Sequence, residues 1–143
     1  MTQTTKMNHQ TNISNSNKSY LMSKGFIHVG YWKKTREELD YSLEKKWAKL
    51  SGIYVFIDSN DKVLYIGRTV MNLETALDRI QRGHETQVTN HRVHNHLLAY
   101  LEKSLSVEIF AHANQKEHAD LAAFFDDFKI ELLQHISPLW NLH

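Results

Sequence analysis

Residues 52–67 constrain this chain more than any other stretch. Ile53-Tyr54-Val55-Phe56-Ile57 and Val63-Leu64-Tyr65-Ile66 are two short runs of β-branched and aromatic residues. Between them lies Asp58-Ser59-Asn60-Asp61-Lys62, a dense turn signal, so the pair reads as a β-hairpin. With a two-residue turn, Tyr54 and Tyr65 have matching parity and point to one face of the sheet. A phenol can hydrogen-bond phosphate and pass protons, so two on one face could form a site. Gly67 ends the second strand where a backbone can approach a ligand closely. Alone, such a hairpin is an ordinary half-buried element; its sequence neighbours change that.

The 143 residues contain no internal repeat, and a hydrophobic content of 41% can supply one modest core. No run approaches transmembrane length. The N-terminus has no apolar stretch of signal-peptide type, so the expected setting is intracellular and cytoplasmic. The absence of cysteine excludes disulfides and thiolate–metal sites. The net charge of +1 hides a gradient. Residues 1–51 hold nine basic groups against four acidic, residues 52–104 hold six of each, and residues 105–143 hold two against six. A basic front and an acidic C-terminal helix suit a protein that grips phosphate on one side and gathers metal on the other.

Residues 1–24 are rich in Asn, Ser, Thr and Gln and read as a disordered polar tail. Residues 25–50 read as a strand followed by a helix. Thr35-Arg36-Glu37-Glu38 matches a capping box, and Leu39, Leu43 and Trp47 then fall at helical spacing. Beyond the hairpin, Leu73, Leu77 and Ile80 predict a helix capped by Asn72, and residues 90–103 predict another. Residues 107–111 read as a third strand. Residues 117–135 read as a long helix with Leu121, Phe124, Phe125, Phe128, Leu132 and Ile136 facing the core, and Pro138 stops it. The class is α+β: a small antiparallel three-stranded sheet flanked by helices, preceded by an extra β-α unit.

Gly52-Ile53-Tyr54, ten residues, Tyr65-Ile66-Gly67, and then Arg79 form one constellation. It resembles the GIY-YIG nuclease family over residues 51–141, nearly all of the chain expected to be ordered. The resemblance implies a nuclease domain at 51–143 that hydrolyses phosphodiester bonds of DNA with one divalent metal ion, Mg2+ or Mn2+. Arg79 would be the catalytic arginine, with Arg82 one turn later as competitor. Tyr54, aided by Tyr65 or His84, would accept a proton from the attacking water, and products would carry a 5′ phosphate and a 3′ hydroxyl. Gly67, Arg68, Arg82, His91, Arg92 and Asn141 would contact substrate.

The metal ligand is the point of departure. The family usually carries a glutamate about twelve positions before a closing asparagine. Asn141 matches that asparagine, but twelve back is Lys129. Asp126, one turn earlier, is the expected ligand, with Asp127 and Glu131 as alternatives. One carboxylate can hold a hard cation that keeps several waters. His91, His94 and His96 crowd together, but His94 and His96 are two apart and do not share a helix face, so zinc is not the expected metal. The expected protein is therefore a DNA endonuclease of phage, mobile-element, restriction or repair type, acting alone or as a homo-oligomer to cut both strands. A fold of this kind that has lost its metal ligand and only binds DNA or protein is the alternative.

Overall fold

Antiparallel pairing organises the chain around five strands, β1 (Phe26–Thr35), β2 (Glu38–Leu43), β3 (Gly52–Asp58), β4 (Val63–Thr69) and β5 (Val107–His112). The computed structural model describes residues 16–103, 105–112 and 121–141. The strands lie in the order β2-β1-β5-β3-β4, each antiparallel to its neighbour. Among the described residues four α-helices accompany them: α1 (Asn17–Ser23), α2 (Leu73–Arg82), α3 (Val88–Glu102) and α4 (Leu121–His135).

Strand β3 is buried along its whole length, and its side chains alternate between two cores. Tyr54 and Phe56 join Leu73, Leu77 and Ile80 of α2 and Val93 and Leu97 of α3. Ile53, Val55 and Ile57 join Leu21 of α1 and Phe125 and Leu132 of α4. The sheet is thus covered on both faces, which is why its central strand reads as a continuous apolar run. Among the described residues no helix is long and apolar enough to cross a membrane.

The α+β class is as the sequence indicates, but the sheet has five strands rather than three. The difference lies at residues 35–47. Arg36 and Glu37 both adopt positive φ, 52° and 72°, and form a two-residue turn between the paired Thr35 and Glu38. The expected capping-box helix is therefore a second strand, followed by a short 3-10 turn over Lys45–Trp47. Leu39 and Leu43 are four apart, a spacing that suits a helix face and one face of a strand equally. Tyr41, between them, packs on the same core and decides for the period of two.

The expected tail also gives way before Lys24. Helix α1 has only seven residues, too short to stand alone. It forms because the Asp61 carboxylate accepts the amide N–H groups of Asn17 and Lys18 at 2.6 and 2.9 Å, while Leu21 is fully buried. Residues 1–15 lie outside the described residues. Elsewhere the expectations hold closely: Asn72 caps α2 by accepting from the Thr75 amide at 2.8 Å, and the next helix spans Val88–Glu102. Strand β5 is Val107–His112. Helix α4 buries Phe125 and Leu132; residues 113–120 and the Leu121 side chain lie outside the described residues.

Positive φ at two consecutive non-glycine residues costs on the order of 1 kcal/mol each. Replacing Arg36→Asn together with Glu37→Gly should therefore raise stability by about 1–2 kcal/mol in urea melts, with an unchanged denaturant slope. A helical segment at these positions would instead be destabilised by the same glycine.

Candidate active site

The turn joining β3 to β4 is longer than two residues, and it keeps the tyrosines together through an irregularity. Pairing runs evenly from Gly52↔Thr69 to Phe56↔Tyr65 and then shifts, leaving Leu64 unpaired. The buried Asp58 carboxylate holds the turn, accepting from the amides of Asn60 and Lys62 at 2.9 Å and from the Tyr100 hydroxyl. Tyr54 faces Gly67 across the ladder, and Phe56 faces Tyr65. Tyr54 and Tyr65 are 5% and 8% exposed, with ring centroids 6.2 Å apart.

Gly67 makes this possible. A Cβ there would stand 2.4 Å from Tyr54 Cζ and 2.5 Å from its hydroxyl oxygen, far inside van der Waals contact. The Tyr54 ring lies directly over the glycine, beside the ring of Tyr65. Burial pushes the Tyr54 phenol well above the ordinary range, and the neighbouring Tyr65 adds to that. Tyr65 is also raised by burial, but the Arg92 charge and the neighbouring Tyr54 pull it back. Of the two, Tyr65 is therefore the more readily ionised.

Arg92 reaches this pair from α3. Its Nη1 donates to the Trp140 carbonyl, while its Nε is buried with no hydrogen-bond partner. His96, one turn on, stacks on Trp140 with centroids 5.2 Å apart and an interplanar angle of 11°. Burial and then the Arg92 charge lower the His96 pKa, which favours its neutral form. Tyr100, a further turn along, meets the same indole edge-on at 5.7 Å. Asn141 accepts from the Ile66 amide at 2.9 Å and donates to the Ile66 carbonyl at 3.0 Å. Tyr54, Tyr65, Gly67, Arg92 and Asn141 are thus brought together, with His96 and Trp140 added.

The remaining candidates make other contacts. Arg79, Arg82 and His84 are exposed. The Arg79 guanidinium touches Met71 Sδ at 3.7 Å and meets no carboxylate among the described residues. His91 and His94 are hydrogen-bonded to the carbonyls of Gly83 and Ile80, both at 2.9 Å, and so join α3 to the end of α2. That occupies His91 structurally rather than freeing it for substrate.

Arg68 follows Gly67 by one position and so points to the opposite face of the sheet, toward α4. There its Nε lies 2.5 Å from Asp126 Oδ1. Lys129 is half-buried beside them; burial and the Arg68 charge lower its pKa, and Asp126 opposes that. A carboxylate shared between a guanidinium and an ammonium does not fit a ligand for a divalent cation. Glu131 pairs with Lys24 at 3.3 Å, and no group of three His, Asp or Glu among the described residues could hold a metal ion. Asp126, the expected ligand, is tied to Arg68 on the α4 side.

The structure of a mutant of bacteriophage T4 EndoII superposes with a TM-score of 0.65 at 20% identity, covering 89% of this chain and 98% of that one. Restriction endonuclease HPY188I, in complex with product DNA, gives 0.54 at 16% identity, covering 82% and 79%. The chain shares the fold of these two structures. No protein-family model matches the chain, and no curated protein matches it.

Two outcomes follow from the tyrosine pair. Gly67→Ala forces the Tyr54 ring aside and should cost about 1–3 kcal/mol in a denaturant melt, as overpacking does. Tyrosine ionises near 10 in the unfolded chain, and both buried phenols ionise higher when folded. Their contribution is therefore complete below about pH 10 and lost as pH rises beyond it. Tm should fall steeply there, and Tyr54→Phe should make the fall shallower; an equal slope in that variant would refute the assignment.

Proposed function

We propose that this protein is a DNA endonuclease of the GIY-YIG type that hydrolyses phosphodiester bonds. The observation that carries the reading is the adjacent, buried Tyr54–Tyr65 pair over Gly67 with Arg92 beside it, in a fold shared with two endonucleases. In this reading water attacks phosphorus, the bond to the 3′ oxygen breaks, and that oxygen leaves with a proton. Tyr65 relays the proton of the water, passing its own hydroxyl proton on to solvent as it accepts, and Arg92 stabilises the negative charge that builds on its oxygen. Tyr54 acts beside Tyr65 rather than as the acceptor, since burial raises its pKa.

Two arginines divide the phosphate. Arg92 offers a buried Nε–H that no group among the described residues accepts, a donor suited to a charged oxygen. Arg79 offers an exposed guanidinium free of carboxylates among the described residues. Asp126 does not fit Mg2+ or Mn2+ while Arg68 and Lys129 surround it, so the reading rests on the chain's own donors and phenols. That same arrangement favours a second reading, a DNA-binding module on a nuclease fold that does not cleave.

Supercoiled plasmid incubated with the protein, in Mg2+, Mn2+ or EDTA, separates the two. Nicked or linear products are expected, and retarded but intact plasmid under all three conditions would give the second reading. Arg92→Ala should lower turnover by about 10²–10³, the loss typical of one transition-state donor. Tyr65→Phe should reduce turnover more than Tyr54→Phe, with circular dichroism confirming that each variant is folded. Arg79→Ala should weaken DNA binding and leave thermal stability within about 0.5 kcal/mol of the parent.

A further inference from the structure

The loop between β4 and α2 carries two adjacent apolar residues, Val70 and Met71, that are 48% and 55% exposed. Single exposed apolar residues are common, but these two are held outward by a fixed frame. The Met71 amide donates to Thr69 Oγ1 at 3.2 Å, and its carbonyl accepts from Ser51 Oγ at 3.0 Å. The start of α2 is pinned in turn, with the Leu73 amide donating to the Leu50 carbonyl at 2.7 Å. The backbone of this tip is therefore satisfied from within, while its side chains meet no core. Next to it stands the guanidinium of Arg79, against Met71 Sδ and without an ion-pair partner among the described residues.

We propose that Val70 and Met71 form a wedge that enters the base stack of duplex DNA while Arg79 takes the adjoining phosphate. The inference rests on DNA being the partner and adds how it is deformed. Apolar side chains inserted between base steps unstack and kink a duplex, and the cost is offset by apolar contact and by phosphates drawn onto nearby cations. Methionine suits the role, because an unbranched, polarizable chain adapts to a gap of irregular shape. The charge complementarity commits the surface to a polyanion with an apolar interior, which is the chemistry of a duplex at an opened step.

The test uses the full chain and short duplexes carrying 2-aminopurine at successive positions, read by stopped flow ahead of any cleavage. Binding is followed separately by fluorescence anisotropy. The parent protein should bind and raise 2-aminopurine fluorescence several-fold at one or two neighbouring positions. Val70→Ser with Met71→Ala should keep the circular dichroism spectrum and most of the anisotropy change, but lose the fluorescence rise. An undiminished rise in that variant, or binding by the parent without any rise, would overturn the wedge while leaving DNA recognition intact. Absence of binding by the parent would overturn DNA recognition itself. If the double substitution instead turned a dimer into a monomer in sedimentation, the tip would be a protein contact and the wedge would fall.

Discussion

The side-chain amide of Asn141 does for strand β4 what a further strand would do. It satisfies both the N–H and the C=O of Ile66, on the side of β4 that no other strand covers. The amides of Leu139 and Trp140 donate to the carbonyls of Val63 and Leu64, so the end of the chain completes the ladder. An unpaired edge is a liability in any sheet, and here it is closed by the same segment that finishes the site. Ile136 packs in the core under α4, whereas Trp140 packs in the core under α2 and α3. The chain therefore passes around the edge of the sheet, held by Ile66, and delivers the Trp140 carbonyl to Arg92. Loosening that clasp would free the edge, the indole and the guanidinium together.

Much of the fold is legible because its strongest signals are local. The β3–β4 hairpin, the Asn72 cap and the apolar faces of α2 and α4 follow from side-chain type and spacing alone. The front of the chain is misread where two periods coincide, since Leu39 and Leu43 serve either a helix or a strand. A capping box then tips the balance toward helix, although Arg36 and Glu37 adopt the left-handed conformations of a hairpin turn. Neither residue type advertises that conformation, as Asn-Gly would. Helix α1 is illegible for a different reason: its N-terminal donors are satisfied by Asp61, more than forty positions away.

The site divides along the same line. Parity places Tyr54 and Tyr65 on one face, and the structure agrees through an irregularity that compensates for a longer turn. What spacing hides is the role of Arg92. Arg92, His96 and Tyr100 fall at i, i+4 and i+8, a polar and aromatic stripe beside the apolar stripe of Val93, Leu97 and Leu101. All three meet Trp140, a contact no local pattern contains. Arg79 stands out in sequence by its place after the hairpin, yet in space it belongs to the exposed loop tip at Met71. Parity also bears on Asp126: Arg68 follows Gly67 by one residue, so the two must face opposite sides of the sheet.

That last constraint sets the electrostatics of the whole molecule. One face holds two buried phenols, which need a nearby cation before either can ionise, and Arg92 is that cation. The other holds a carboxylate flanked by Arg68 and a half-buried Lys129, where an added divalent ion would meet two positive groups before reaching one negative group. At an effective dielectric of about 20, a like-charge contact at 4 Å costs on the order of 4 kcal/mol per unit charge. A divalent ion near both groups would bear that cost several times over, against one carboxylate already neutralised. A phosphate approaching the same groups meets the opposite balance. The arrangement around Asp126 therefore opposes a cation at that pair and favours a phosphate there.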